Sequence, residues 1–168
     1  MVFVPDRQYI VYETAHWRVN HRVDTAYPGY LMAAPRDPRA GSLPDLGPDA
    51  LSELGPLLAW ISRVIETTLQ PRHLYLGRFG HQSGHNLHFH IIPIYDWTIR
   101  LYHSDPRYRM LKQFYRDADG DDSPDGADLT LFVWRECCEG GKPLPPEAPS
   151  VARTVETLRE AFAAERRA

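Results

Sequence analysis

The chain has 168 residues, a formal net charge of −3 and 43% hydrophobic residues. That fits one domain with a real core and offers no basic face for a long nucleic acid. The two cysteines, Cys137 and Cys138, are adjacent, which rarely suits a disulfide and makes no spaced framework of the secreted kind, so a reducing cytoplasm is expected.

The first residues, MVFVPDRQYI, lack a basic segment followed by a long apolar run, so no signal peptide is expected. No run approaches the ~18 apolar residues of a membrane helix. Residues 9–20, YIVYETAHWRVN, are rich in Tyr, Val, Ile and Trp and read as one or two strands. Residues 21–29 read as a turn, and 29–35 as a short apolar strand stopped by Pro35. A loop over 42–49 leads into a helix with Pro48 in its first turn. Leu51, Leu54, Leu58, Ile61 and Ile65 then recur at helical spacing, and Pro56 is expected to kink or split this helix.

Residues 73–80 and 86–95 read as strands. Asp105 and Pro106 read as the cap and first residue of a short helix carrying Tyr108, Leu111 and Tyr115 on one face. Residues 117–128 form an acidic loop, 128–136 (DLTLFVWRE) read as a strand, and 140–150 as a Pro-rich connector. Ser150 is placed to cap a last helix with Val151, Val155, Leu158 and Phe162 on its apolar side. Most strands follow one another without a crossover helix. The expected class is therefore α+β with a largely antiparallel sheet.

The chemistry concentrates in residues 81–93, HQSGHNLHFHIIP, which hold four of the eight histidines. On a strand, side chains alternate between faces. Asn86, His88 and His90 then share one face, while Leu87, Phe89 and Ile91 share the other, which suits a core. Imidazole is largely neutral at neutral pH and can attack phosphorus and leave again. A second histidine two residues along lies ~6–7 Å away by strand rise, close enough to bind the same phosphate. The preceding Gln82, Ser83 and Gly84 make a turn whose donors can cradle phosphate oxygens.

This segment resembles the signature of the histidine triad (HIT) superfamily, which carries histidines at alternate positions after a Gly-Gln-Ser-like turn and before Ile-Ile-Pro. Pro28-Gly29-Tyr30-Leu31 resembles the family's Pro-Gly-His-Leu, and Leu43-Pro44-Asp45-Leu46 with the following helix resembles another of its segments. The resemblance covers about residues 9–95. It implies a HIT-like core over 1–96, with 97–168 as a C-terminal extension packed on the same domain. The sheet would present His88 on its ligand face and helices on the opposite one.

By the same resemblance, His88 matches the nucleophile and His90 the histidine that contacts phosphate and assists the leaving group. Gln82 and Ser83 match residues that bind phosphate and leaving group. Asn20 and Asp24 lie where the family places a ribose-contacting polar residue, with a turn role as an equal reading. Asn86 replaces the family's first signature histidine, and Tyr30 replaces the histidine after Gly29. The two are expected to form one hydrogen-bonded pair beside His88.

The implied function is a nucleotide-phosphate hydrolase or nucleotidyl transferase working through a nucleotidyl-histidine on phosphoanhydride or phosphoramidate bonds. No cofactor or metal is required by that scheme. The partner is a nucleotide-type small molecule, with no membrane and no long nucleic acid, and the resemblance also implies a homodimer. Two other readings stand beside it: a nucleotide-binding module without turnover, and a zinc site among His81, His85, His88 and His90. A calcium loop at Asp117, Asp119, Asp121 and Asp128 is disfavoured by Asp122 where glycine is needed. Arg36, Arg39, Arg78 and Arg100 are charges that could reach a phosphate. One or two aromatic residues among Trp97, Tyr102, Tyr108, Phe114, Tyr115, Phe132 and Trp134 are expected to wall the nucleotide site.

Overall fold

The computed structural model describes residues 4–79, 86–108 and 124–166. Five strands, β1 (Ile10–Glu13), β2 (Trp17–His21), β3 (Leu31–Pro35), β4 (His73–Gly77) and β5 (Phe89–Ile94), form one sheet in the order β1-β2-β3-β5-β4. Every neighbouring pair is antiparallel, so the class is α+β, as the sequence of elements predicts. Pro93 fits inside β5 because the ladder with β3 ends at the Leu31–Ile91 pair. Its missing N–H therefore costs no sheet bond.

The alternation of β2, β3 and β5 splits the sheet into two faces. Trp17, Val19, Leu31, Ala33, Leu87 and Ile91 point to a first core, closed by helix α1 (Pro48–Leu69) through Leu57, Ile61, Val64 and Ile65. Pro56 does not split α1, which runs unbroken as one 22-residue helix. Pro56 is exposed, so the carbonyl one turn back that loses its partner can face water. The final helix seals the same core with Val155, Leu158 and Phe162. The Ser150 side chain accepts from the Arg153 N–H at its start, at 3.3 Å.

The other face holds a second core of Tyr27, Tyr30, Ile92 and Ile94. It is covered by α2 (Asp96–Ser104), α3 (Gly126–Phe132) and a π-helical turn (Val133–Glu139); the final helix is α4 (Val151–Glu165). Helices thus lie on both faces, not on one as expected. The strand expected over 128–136 is helical. Its β-branched and aromatic residues suggest a strand, but Leu129, Phe132, Val133 and Cys137 are all buried in the second core, a spacing of three and four that only a helix brings to one side. Asp125 caps it by accepting from the Ala127 N–H at 2.8 Å. Asp105 likewise accepts from the Arg107 N–H at 3.1 Å ahead of the helical residues 106–108.

Among the described residues no helix is long and apolar enough to cross a membrane. Leu111, Phe114, Tyr115 and the acidic residues 117–123 lie outside the described residues. Asp128 sits within α3.

Candidate active site

The second face is covered only in part. Where the helices end, a cavity of about 360 Å³ opens on the sheet, lined by Asn20, Arg22, Asp24, Asn86, His88 and His90 among others. The sheet register explains why. Asn20 pairs with Met32, Met32 with His90, and His90 with Gly77. These four residues form one row across four strands on the same face, and three of them line the cavity. A Cβ at Gly77 would stand 2.5 Å from the ring of Phe79. Glycine there lets Phe79 fold back, with its ring centroid 5.2 Å from that of His90.

The hydrogen-bonded part of β5 begins at Phe89, yet the alternation persists upstream. Leu87 belongs to the first core, and Asn86 and His88 line the cavity with His90. The rings of His88 and His90 meet edge to face at 4.8 Å. Nδ1 of His88 lies 2.7 Å from the backbone carbonyl of Asn86. A carbonyl only accepts, so Nδ1 carries the hydrogen and the neutral ring holds its lone pair on Nε2.

His90 is set deeper, 3% exposed. Its Nδ1 is 2.9 Å from the hydroxyl of Tyr30, and its Nε2 is buried with no hydrogen-bond partner. Burial first, then the neighbouring His88 and Arg22, push its pKa down to about 3. The ring is therefore neutral at neutral pH. Tyr30 is fully buried, and burial pushes its hydroxyl pKa well up, so it stays protonated.

The expected pairing of Tyr30 with Asn86 is not formed. The Tyr30 hydroxyl is engaged by His90 and by Arg22, whose Nη1 is 3.4 Å away. Asn86 instead serves His88 through its main chain. The physical reason is placement: Tyr30 sits in the second core beneath His90, whereas Asn86 precedes β5 at the cavity rim.

Asn20 is buried, and its amide donates to the His21 carbonyl at 2.8 Å. Asp24 accepts from both Nε and Nη2 of Arg22, at 2.6 and 3.0 Å. Both residues line the cavity. Gln82 and Ser83, with His81 and His85, lie outside the described residues. Among the described residues, no three His, Cys, Asp or Glu side chains are grouped to hold a metal ion.

The arginines singled out in the sequence are occupied elsewhere. Arg36 donates to the Thr14 carbonyl, Arg39 pairs with Asp37, Arg78 reaches the Gly41 carbonyl and Arg100 pairs with Glu147. Arg22 and Arg18 are the cationic side chains that line the cavity among the described residues, and sequence reading missed both. Of the aromatic residues beyond 96 expected to wall the site and described in the structure, Trp97, Tyr102, Tyr108 and Phe132 lie in the second core, and Trp134 lines the cavity. The ring of Trp134 is 5.2 Å from that of His90, at 34°. Apolar and aromatic walls with a few polar groups among them suit a flat organic body carrying an anion.

No family profile and no curated protein matches the chain. Solved structures do. A diadenosine triphosphate hydrolase from Plasmodium falciparum, in complex with cyclomarin A, superposes with a TM-score of 0.54 at 10% identity over 99% of this chain and 82% of its own. A hypothetical histidine triad nucleotide-binding protein from Sulfolobus tokodaii gives 0.52 at 18% identity, over 95% and 86%. A histidine triad protein from Sinorhizobium meliloti gives 0.52 at 13%, over 95% and 96%. With the five-stranded antiparallel sheet and its paired histidines, these likenesses establish that the chain has the histidine triad fold.

Proposed function

We propose that this chain hydrolyses or transfers at the phosphate of a nucleotide-type substrate, with His88 as nucleophile. The observation that carries the reading is the Nδ1–H bond of His88 to the Asn86 carbonyl, which puts the lone pair on Nε2 in the cavity shared with His90. In the first step Nε2 forms a bond to phosphorus and the bond from phosphorus to the leaving oxygen or nitrogen breaks. The leaving group takes a proton. Water then adds to phosphorus and gives up a proton to solvent, replacing the one the leaving group drew from it, the P–N bond breaks, and His88 is restored.

His90, which lines the same cavity, would contact the phosphate and assist the leaving group, as the resemblance implies. Gln82 and Ser83 would hold the phosphate and leaving group, as the resemblance implies. Asn20 or Asp24 would face the ribose. In this reading residues 1–96 carry the catalytic groups, and 97–168 supply Trp134 to the base. The diadenosine triphosphate hydrolase among the similar structures makes dinucleoside polyphosphates the first substrates to try. The expected homodimer is checked by light scattering; the monomer mass of 19.3 kDa at micromolar concentration would overturn it.

A single-turnover assay with labelled dinucleoside polyphosphate or nucleoside phosphoramidate tests the activity. Acid-labile label on the protein, lost in His88→Ala, supports it. Binding without labelled protein or product would make the chain a nucleotide-binding module instead.

A further inference from the structure

Arg22 is an unusual feature of the cavity because four groups fix it. Its Nε and Nη2 clasp Asp24. Its guanidinium lies between two rings, 5.2 Å from the centroid of Tyr30 and 5.1 Å from that of Trp134. Its Nη1 points at the Tyr30 hydroxyl. The side chain is only 11% exposed. Planar stacking together with a bidentate carboxylate holds an arginine in one orientation.

That orientation decides where hydrogens lie. A guanidinium only donates, so the Tyr30 oxygen receives from Arg22. Among the described residues the other partner of that hydroxyl is Nδ1 of His90, at 2.9 Å. A buried hydroxyl hydrogen needs an acceptor, and Nδ1 is the one in reach. With Nδ1 accepting, a neutral His90 carries its hydrogen on Nε2, the buried atom that has no partner.

We infer that Arg22 is a positioning residue that acts through Tyr30, locking His90 in the tautomer with hydrogen on Nε2. The relay runs Asp24–Arg22–Tyr30–His90. Trp134 lies beside two of its members, Arg22 and His90. With hydrogen on Nδ1 instead, the Tyr30 hydroxyl hydrogen would lose its acceptor. Burial keeps His90 neutral over the working pH range, so the tautomer, not the charge, is what the relay sets. His88, Arg22, Asp24 and Tyr30 are the titratable groups acting on or bonded to this ring.

The tautomer can be read without substrate. Long-range ¹H–¹⁵N correlation spectra of ¹⁵N-histidine-labelled protein at pH 7 distinguish a protonated Nδ1 from a protonated Nε2. The parent is expected to show His90 with a protonated Nε2. Arg22→Met keeps the bulk between Tyr30 and Trp134 but frees Tyr30 to accept, and should give a mixture of tautomers. Tyr30→Phe removes the relay at its other link and should do the same if Arg22→Met does not fold. Arg22→Lys should restore part of the parent pattern. A parent with hydrogen on Nδ1, or the parent spectrum retained in either folded variant, overturns the inference.

The consequence for turnover rests on the proposed function. Loss of the fixed tautomer should lower kcat by roughly tenfold, with less effect on KM. An unchanged kcat alongside a changed tautomer would count against the proposed role of His90 in the reaction, while the relay itself would stand.

Discussion

The indole of Trp134 lies against the imidazole of His90, with ring centroids 5.2 Å apart and planes 34° from each other. Trp134 comes from the π-helical turn that follows α3, and such turns often mark functional places because they shift a side chain out of helical register. Its Nε1 donates to Glu139 at 2.6 Å, which fixes the ring edge. Phe79 meets the same indole edge to face at 5.9 Å. The pair forms an aromatic wall on the cavity.

Trp134 should contribute binding more than chemistry. Stacking a base on an aromatic face is worth about 1–3 kcal/mol, so Trp134→Ala should raise KM roughly tenfold or more. Trp134→Phe should keep most of the affinity. Steady-state kinetics on both variants, with circular dichroism to confirm folding, make the check. A KM unchanged in a folded Trp134→Ala variant would remove the indole from the substrate site.

His88→Ala should lose several orders of magnitude in turnover, because it removes the covalent route altogether. Folding should change little, since His88 is only partly buried and lies outside both cores. Turnover within tenfold of the parent would rule His88 out as nucleophile.

Much of this site is legible in the sequence because a period of two is a simple signal. Leu87, Phe89 and Ile91 announce a core-facing side, and Asn86, His88 and His90 the side that lines the cavity. Arg22 is not legible in that way. It sits in an apparent turn next to Asp24, and its setting depends on Tyr30 and Trp134, which the fold alone brings together. Residues 128–136 misled for a different reason. Composition there favours a strand, and only burial of Leu129, Val133 and Cys137 on one side reveals the helical period. Helix α2 is not legible because Tyr95, not Ser, Thr, Asp or Asn, stands at its cap position, and the start is closed instead by the Thr98 hydroxyl accepting from the Tyr95 N–H.

Acid should destabilise the fold earlier than carboxylates alone would require. His21 and His90 are both buried, and burial lowers the pKa of each, that of His90 to about 3. A group whose folded pKa is depressed gives stability that is complete above its unfolded value, near 6.5, and fades as pH falls toward its folded one. The loss approaches about 1.4 kcal/mol per pH unit for each such group. Urea midpoints measured from pH 7 to pH 4 should therefore fall, and His90→Gln should flatten the slope. A midpoint constant over that range would show that neither histidine is held neutral.

Asn86 and Tyr30, the two residues that the resemblance sets in place of histidines, should act independently. The sequence suggested a shared hydrogen bond, which predicts non-additive losses. In the structure each serves a different histidine. Asn86 holds His88 through its backbone carbonyl, a group that Asn86→Ala leaves in place. That variant should lose only the amide's contact with the cavity, a cost of a few-fold in rate at most, since a single neutral hydrogen bond is worth about 1 kcal/mol. Tyr30→Phe removes the hydroxyl bonded to His90 Nδ1 and Arg22, leaving a buried ring nitrogen without its partner, and should cost roughly tenfold or more. Groups with no shared partner usually combine within about 0.5 kcal/mol. The double variant should therefore show the product of the two single losses in kcat/KM. A double variant no worse than Tyr30→Phe alone would mean that the two side chains work as one unit after all, through a contact that forms only with substrate bound.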